Sequence, residues 1–337
     1  MSEASTLQAA AAVELAVVVR SGFIESRHVG AAVLTSTDAT IRAELGDGHQ
    51  PVFPRSTLKL FQAQTALALG ARLNDEQTAI ACGSHSGSPA HVAHVREILH
   101  ASGLDDRALA CPASWPRDRA SRDALVRAGE ASSAVYMECS GKHAAMLAAC
   151  VAQGWPTDGY LAVEHPLQVA IRDTIERMTR ERPSAVGIDG CGAPVFAVSL
   201  VGLAAAASRL ATASASSPFP LFKAAAAVWR SVLSNGWLIE GHGRPNSLVI
   251  SELGVLAKSG AEGVLLLAAP DGTAVALKML DGSNRGTTLV GLQLLVAAGA
   301  VDVSRVQQLL PRLGLEVLGG GVLVGEIMVG AGVPTSL

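Results

Sequence analysis

The sequence is poor in lysine, with only Lys59, Lys142, Lys223, Lys258 and Lys278 against twenty-one arginines in 337 residues. Arginine is therefore the ordinary solvated cation of this chain, and each lysine becomes informative. A drift toward arginine cannot replace lysine where a neutral amine is required, because a guanidinium keeps its proton in proteins whereas a buried ammonium can lose it. Lys223 lies in an Ala-rich helical stretch and is expected to face solvent. The other four stand beside Ser, Cys or Gly-rich turns and are read as enriched for chemistry. Five cysteines are too few, and odd in number, for a disulfide framework in a chain this long, so free thiols and a reducing cytoplasm are expected. The formal charge is −3 and no dense basic run occurs, which argues against nucleic acid as a partner. Charged residues are scarce at 16%, while hydrophobic residues reach 49%, so the composition is that of a folded chain with ample core material. No stretch of about 18 uninterrupted apolar residues occurs. The apolar opening Leu7 to Val19 has no cation before it and is interrupted by Glu14, so it is read as leading into a strand rather than as a signal peptide.

The length suits one large domain or two closely joined ones, and the order of elements favours one domain over 1–337. The segment VELAVVVRSGFIES, then AAVLTS and TIRAEL around Ser36-Thr37-Asp38, reads as strands with tight turns, the first at Val13–Val19. Helical patterns follow at 57–70, 75–82, 88–101, 119–128, 140–152, 166–180, 199–212 and 219–234. Then LVI, GVLAK, GVLLLAA and TAVALKML alternate with Gly-containing turns as strands would. Helices at 285–298 and 303–312 and a last strand VLVGEI close the chain. The reading is an α/β sandwich in which segments about 10–55 and 245–330 share one antiparallel sheet around a helical part at about 56–240.

Four motifs carry candidate chemistry. In Arg55-Ser56-Thr57-Leu58-Lys59, after Pro54, the i, i+3 spacing on a helix puts the Ser56 hydroxyl and the Lys59 amine on one face, where a neutral Lys59 would deprotonate Ser56. The plain alternative is a capping serine and a surface charge. Ala257-Lys258-Ser259-Gly260 resembles the lysine, serine or threonine, glycine element of penicilloyl-serine enzymes, against an ordinary turn between strands. Cys82-Gly83-Ser84-His85-Ser86-Gly87 is a small-residue loop in which Ser84 is a candidate nucleophile or oxyanion contact, against a connector with His85 capping a neighbour. Cys139-Ser140-Gly141-Lys142-His143, with Asp189-Gly190-Cys191 about fifty residues on, offers two thiolates and an amine or imidazole to a tetrahedral zinc ion, against two buried cysteines and a surface histidine.

As an ordered set these residues resemble the L-asparaginase II family, the rhizobial, thermolabile type. The likeness runs from Arg20-Ser21-Gly22 with Glu25-Ser26, through the four motifs, to Lys258-x-Gly260-Ala261. It implies a fold like that of serine β-lactamases and glutaminases. It also implies two neighbouring serine–lysine pairs, Ser56 with Lys59 and Ser84 with Lys258, beside a zinc ion held by Cys139, Lys142 and Cys191. The implied activity is release of ammonia from L-asparagine by a homodimer. One serine, with Ser84 favoured over Ser56, would attack the side-chain amide after losing its proton to a desolvated lysine. Asp189 and His143 would help to orient the substrate, and Arg55 and Arg244 are candidates for gripping its carboxylate. Two positions depart from the family pattern: Glu138 stands where Asn is expected and His242 where Glu is usual. The rival readings are a glutaminase or β-lactam-processing enzyme of the same architecture, and a catalytically silent zinc-binding or ligand-sensing protein.

Overall fold

A computed structural model describes residues 6–337. The chain opens with strands β1 (Val13–Arg20), β2 (Phe23–Thr35), β3 (Ile41–Leu45) and the short β4 (Pro51–Val52). A 3-10 turn at Arg55–Leu58 leads into the helices α1 (Lys59–Ala68), α2 (Asp75–Cys82), α3 (Pro89–Ala101), α4 (Arg119–Arg127), α5 (Ser140–Gln153) and α6 (Pro166–Thr179). Three short strands follow, β5 (Val186–Ile188), β6 (Pro194–Phe196) and β7 (Val198–Ser199), then α7 (Leu200–Ala211), α8 (Pro220–Ser234), α9 (Trp237–Glu240) and α10 (Pro245–Leu253). The chain ends with β8 (Leu256–Gly260), β9 (Val264–Ala268), β10 (Ala274–Met279), α11 (Thr287–Ala297), α12 (Val303–Leu309), β11 (Glu316–Gly319) and β12 (Val322–Val329).

The main sheet is antiparallel with order β11-β12-β1-β2-β10-β9-β8, and β3 pairs with the end of β2. Strands from both ends of the sequence thus share one sheet, with the helical middle inserted between them. β2 is one 13-residue strand where the sequence suggested two pieces. Its first half pairs with β1 and its second half with β3, while β10 lies along the other edge. Gly30 permits this crossing, since a Cβ there would lie 1.9 Å from the Lys278 carbonyl oxygen. Every residue of β9 is buried, the mark of a strand covered on both faces.

One strand reading is corrected. Leu248–Ile250 are β-prone but lie inside helix α10, which starts with Pro245 and stops at Gly254 in the left-handed conformation (φ +69°). Proline at the first position and glycine past the end are the usual helix punctuation, and here they override the propensity of three residues. Among the described residues no helix is long and apolar enough to cross a membrane.

The helices that carry the site are packed closely. In α5 the segment Ser140–Cys150 is buried throughout, and Gly141 passes so near α2 that a Cβ would stand 2.5 Å from the Ile80 carbonyl oxygen. Backbone cannot yield as a side-chain tip can. Gly141→Ala is therefore expected to cost about 2 kcal/mol or more of stability, read as a lowered urea midpoint with an unchanged m-value.

Candidate active site

Ser84 lies in the loop between α2 and α3, and two buried lysines reach it. Lys59, the first residue of α1, donates to Ser84 Oγ at 3.0 Å, and Lys258 of β8 donates to the same oxygen at 3.0 Å. Both lysines are fully buried, and neither makes an ion pair among the described residues. Their surroundings differ. Lys59 Nζ also donates to the carbonyls of Gly83 (2.7 Å) and Glu138 (3.2 Å), so three acceptors face the three donors of an ammonium group. Among the described residues Lys258 Nζ has only the Ser259 carbonyl (2.6 Å) besides Ser84. Burial, reinforced by the nearby Lys59 charge, drives its pKa from 10.5 down to about 7.

The loop that presents Ser84 is shaped by Gly83, where a Cβ would lie 2.6 Å from the Leu238 carbonyl oxygen. The Ser84 N–H donates to the Ile239 carbonyl at 2.7 Å, which fastens the loop to α9. His85 is buried and neutral, its pKa pushed well down by burial, and it ties the loop to α5 through Ser140 Oγ at 2.9 Å.

Ser56 is half-buried, and no hydrogen bond joins its hydroxyl to Lys59 among the described residues. The local S-x-x-K spacing is present, but the amine is drawn inward to Gly83, Ser84 and Glu138. The expected Ser56–Lys59 contact is thus replaced by a Ser84 contact to both lysines. Arg55, just before Ser56, holds a left-handed backbone (φ +54°), a strained conformation for a non-glycine residue. Its guanidinium clasps Asp189 Oδ1 from Nε at 2.9 Å and Nη2 at 2.8 Å. Burial works to raise the Asp189 pKa, but Lys142 and Arg55 outweigh it and hold the carboxyl below its usual range.

Cys139, Lys142 and Cys191 are brought together and buried. The two thiols act on each other: the Cys191 pKa is lowered by Cys139, with help from Lys142, and that of Cys139 is raised by Cys191 and by burial, so the pair holds one proton between two sulfurs. Burial disfavours the Lys142 ammonium, but the two sulfurs outweigh burial and raise its pKa. Among the described residues no three His, Cys, Asp or Glu side chains converge as a metal cluster; this set has two such residues and adds a lysine.

His143 is buried rather than on the helix surface. Its Nδ1 meets Tyr160 Oη at 2.6 Å, while its Nε2 has no partner among the described residues. Tyr160 gave no signal in the sequence. Arg244 is exposed at the start of α10 and forms no ion pair among the described residues. Lys278 donates to the carbonyls of Glu262 and Met279. The two departures have plain structural outcomes: Glu138 turns its carboxylate to Arg117 (3.1 Å) and offers Lys59 only its carbonyl, and His242 stacks flat on Trp237 with ring centres 4.9 Å apart. A further cavity of about 330 Å³ lies beside Arg55, lined by Leu7, Phe53, Ala185, Glu262 and Lys278, but neither Ser84 nor Lys258 borders it.

No curated protein matches the chain in sequence. Among solved structures it is similar to Mglu, with 15% identity over 80% of this chain and 67% of that one and a TM-score of 0.36. It is also similar to a β-lactamase from Mycobacterium bovis (14%, 79% and 94%, 0.39) and to a Bacillus glutaminase (10%, 80% and 91%, 0.37). The chain spans 61–67% of the length of three Mglu chains. At these TM-scores the three bear on neither fold nor function here. The sequence profile of L-asparaginase II, in contrast, matches residues 16–329 and so takes in the whole constellation from Arg55 to Lys258. The chain belongs to the L-asparaginase II family.

Proposed function

We propose that the protein hydrolyses the side-chain amide of L-asparagine to L-aspartate and ammonia, with Ser84 as nucleophile and Lys258 as its base. The observation that carries this reading is the Ser84 hydroxyl held between two buried lysines, one of which has a pKa near neutrality. A general base poised near the working pH gives the best compromise between being unprotonated and being able to accept a proton. Ser84 Oγ attacks the amide carbon as its proton passes to Lys258 Nζ. The C–N bond then breaks, the nitrogen takes a proton from the amine pair and leaves as ammonia, and an ester remains on Ser84. Water attacks the ester carbon and gives one proton to Lys258 Nζ; the bond from that carbon to Ser84 Oγ breaks, Oγ takes the proton from Lys258, and L-aspartate leaves.

Asp189 and Arg55 stand as an opposed pair of charges, suited to the α-amino and α-carboxylate groups of an amino acid. The Ser84 N–H is already used by Ile239, so the developing oxyanion needs other donors.

The residues present fit a zinc ion. Cys139 and Cys191 have one proton to lose between them and Lys142 one more, after which two sulfurs and an amine would make three donors of a tetrahedral set. When bound, such an ion supplies positive charge beside Asp189 that helps to fix the substrate.

The test is ammonia release from L-asparagine and from L-glutamine, each with and without added zinc, followed by acid quench and peptide mass spectrometry. Turnover of asparagine with the acyl mass on Ser84 is the expected result. An acyl mass on Ser56 reverses the roles of the two serines; turnover of glutamine alone makes the enzyme a glutaminase; no turnover of either amide sinks the proposal.

A further inference from the structure

We propose that Asn246 is a positioning residue: it locks the strand that carries Lys258 to the loop that carries Ser84, and so fixes the separation of amine and hydroxyl. The inference rests on the serine–lysine reading above but concerns a residue that does not touch the reacting atoms.

The geometry is a closed ring of hydrogen bonds. Ser84 N–H donates to Ile239 of α9 (2.7 Å), and the next residue, Glu240, accepts the Asn246 N–H on Oε2 (3.1 Å). Asn246 then grips Ser259 with both ends of its amide: Nδ2 donates to Ser259 Oγ (2.7 Å), and Oδ1 accepts the Ser259 N–H (3.2 Å). Lys258 Nζ donates to the Ser259 carbonyl (2.6 Å) and to Ser84 Oγ (3.0 Å), which closes the ring.

β8 is the edge strand of the sheet and pairs only with β9. An edge strand has one row of backbone groups with no strand partner. At Ser259 the Asn246 amide fills that role, and it does so where water does not compete, since Asn246 is 2% exposed. Aspartate has the acceptor but no donor, and glutamine is longer by one methylene, so asparagine is the residue whose length and polarity suit both contacts. The groups that face Lys258 are Lys59, Glu240, Cys139 and Glu138, and the variants below leave all four in place.

The experiment compares Asn246→Ala, Asn246→Asp and Ser259→Ala with the wild type in kcat, KM, the pH profile and thermal midpoint. Asn246→Ala is expected to lower kcat about a hundredfold with KM little changed, the size expected when a catalytic group is displaced by about 1 Å. Its acid limb should move to higher pH, because a loosened strand admits water to the lysine. Ser259→Ala, which keeps the Ser259 N–H bond to Asn246, should fall between the two in both readouts, whereas Asn246→Asp keeps that bond but adds a carboxylate near Lys258 and should fall between them in kcat alone. A lowered thermal midpoint with kcat and the acid limb unmoved reduces Asn246 to a structural role and overturns the proposal. If Asn246→Ala does not fold, Ser259→Ala decides: wild-type kcat and an unmoved limb overturn it. Lys258→Met separates the two claims, since an active Lys258→Met enzyme defeats the serine–lysine reading itself, whereas an inactive one beside a fully active Asn246→Ala defeats only this inference.

Discussion

Ser84→Ala is expected to reduce ammonia release by more than about 10³-fold while the protein keeps its fold and binds substrate as before. Losses of this order follow when a nucleophile that acts as a unit with its base is removed, because the remaining groups no longer have a covalent step to assist. The fold should persist because the side chain is small, and Lys59 retains the Gly83 and Glu138 carbonyls when the hydroxyl goes. Lys258 retains the Ser259 carbonyl. The measurement is kcat on L-asparagine beside ligand binding by calorimetry with L-aspartate. Residual activity within tenfold of wild type would remove Ser84 from the nucleophile's place, and Ser56 would then be the group to examine.

Lys258→Met should have an activity loss of similar size with the opposite effect on stability. In the wild type, kcat is expected to rise through an acid limb at about pH 7, where Lys258 releases its proton. The variant should lack that limb. Stability follows from linkage. An unfolded lysine keeps its proton up to about pH 10.4, whereas the folded one has released it by about 7. Between those values the unfolded state binds more protons, so wild-type stability rises with pH, and the cost of burying the charge is complete below about 7. A pKa fall of this size corresponds to roughly 5 kcal/mol against the ammonium. The hydrogen bonds lost with it, to Ser84 and to the Ser259 carbonyl, offset about 1–3 kcal/mol of that gain. Burial therefore decides the sign. Lys258→Met should melt higher than wild type at pH 6, with the gap narrowing toward pH 10, as measured by calorimetry. A variant that melts lower at pH 6 would show that the lysine stabilises the fold and is not held at a cost for catalysis.

The sheet was legible where pattern and burial agree. Val264–Ala268 reads as a wholly apolar run and proves to be buried on both faces, and Ser36-Thr37-Asp38 separates β2 from β3 as its residues suggest. Leu248–Ile250 misled because three β-prone residues were weighed ahead of Pro245 and Gly254, which define the helix from its ends. Scarcity of lysine singled out Lys59, Lys142, Lys258 and Lys278 alike, of which Lys59 and Lys258 meet at Ser84 while Lys278 bonds to the Glu262 and Met279 carbonyls. The partner of Lys59 was misjudged, since S-x-x-K spacing reports only neighbours along the helix, whereas the amine answers to carbonyls from Gly83 and Glu138, distant in sequence. Tyr160, Glu240 and Asn246 could not be read at all, and Ser259 only as a member of the Lys258-Ser259-Gly260 motif. Each acts through a contact that folding creates, and a polar residue destined for burial looks in sequence like one destined for the surface.

The pairing of β1 with β12 has a consequence for how the protein is made. Val18 pairs with Ile327, and Ala16 with Val329, so β1 leaves the ribosome almost a full chain length before its partner exists. During synthesis one edge of β1 stays open while the helical middle emerges and collects its own core. The sheet joins across β1 only once β12 has emerged, which makes this seam a late step of folding and the open edge of the nascent chain a natural point for chaperone capture.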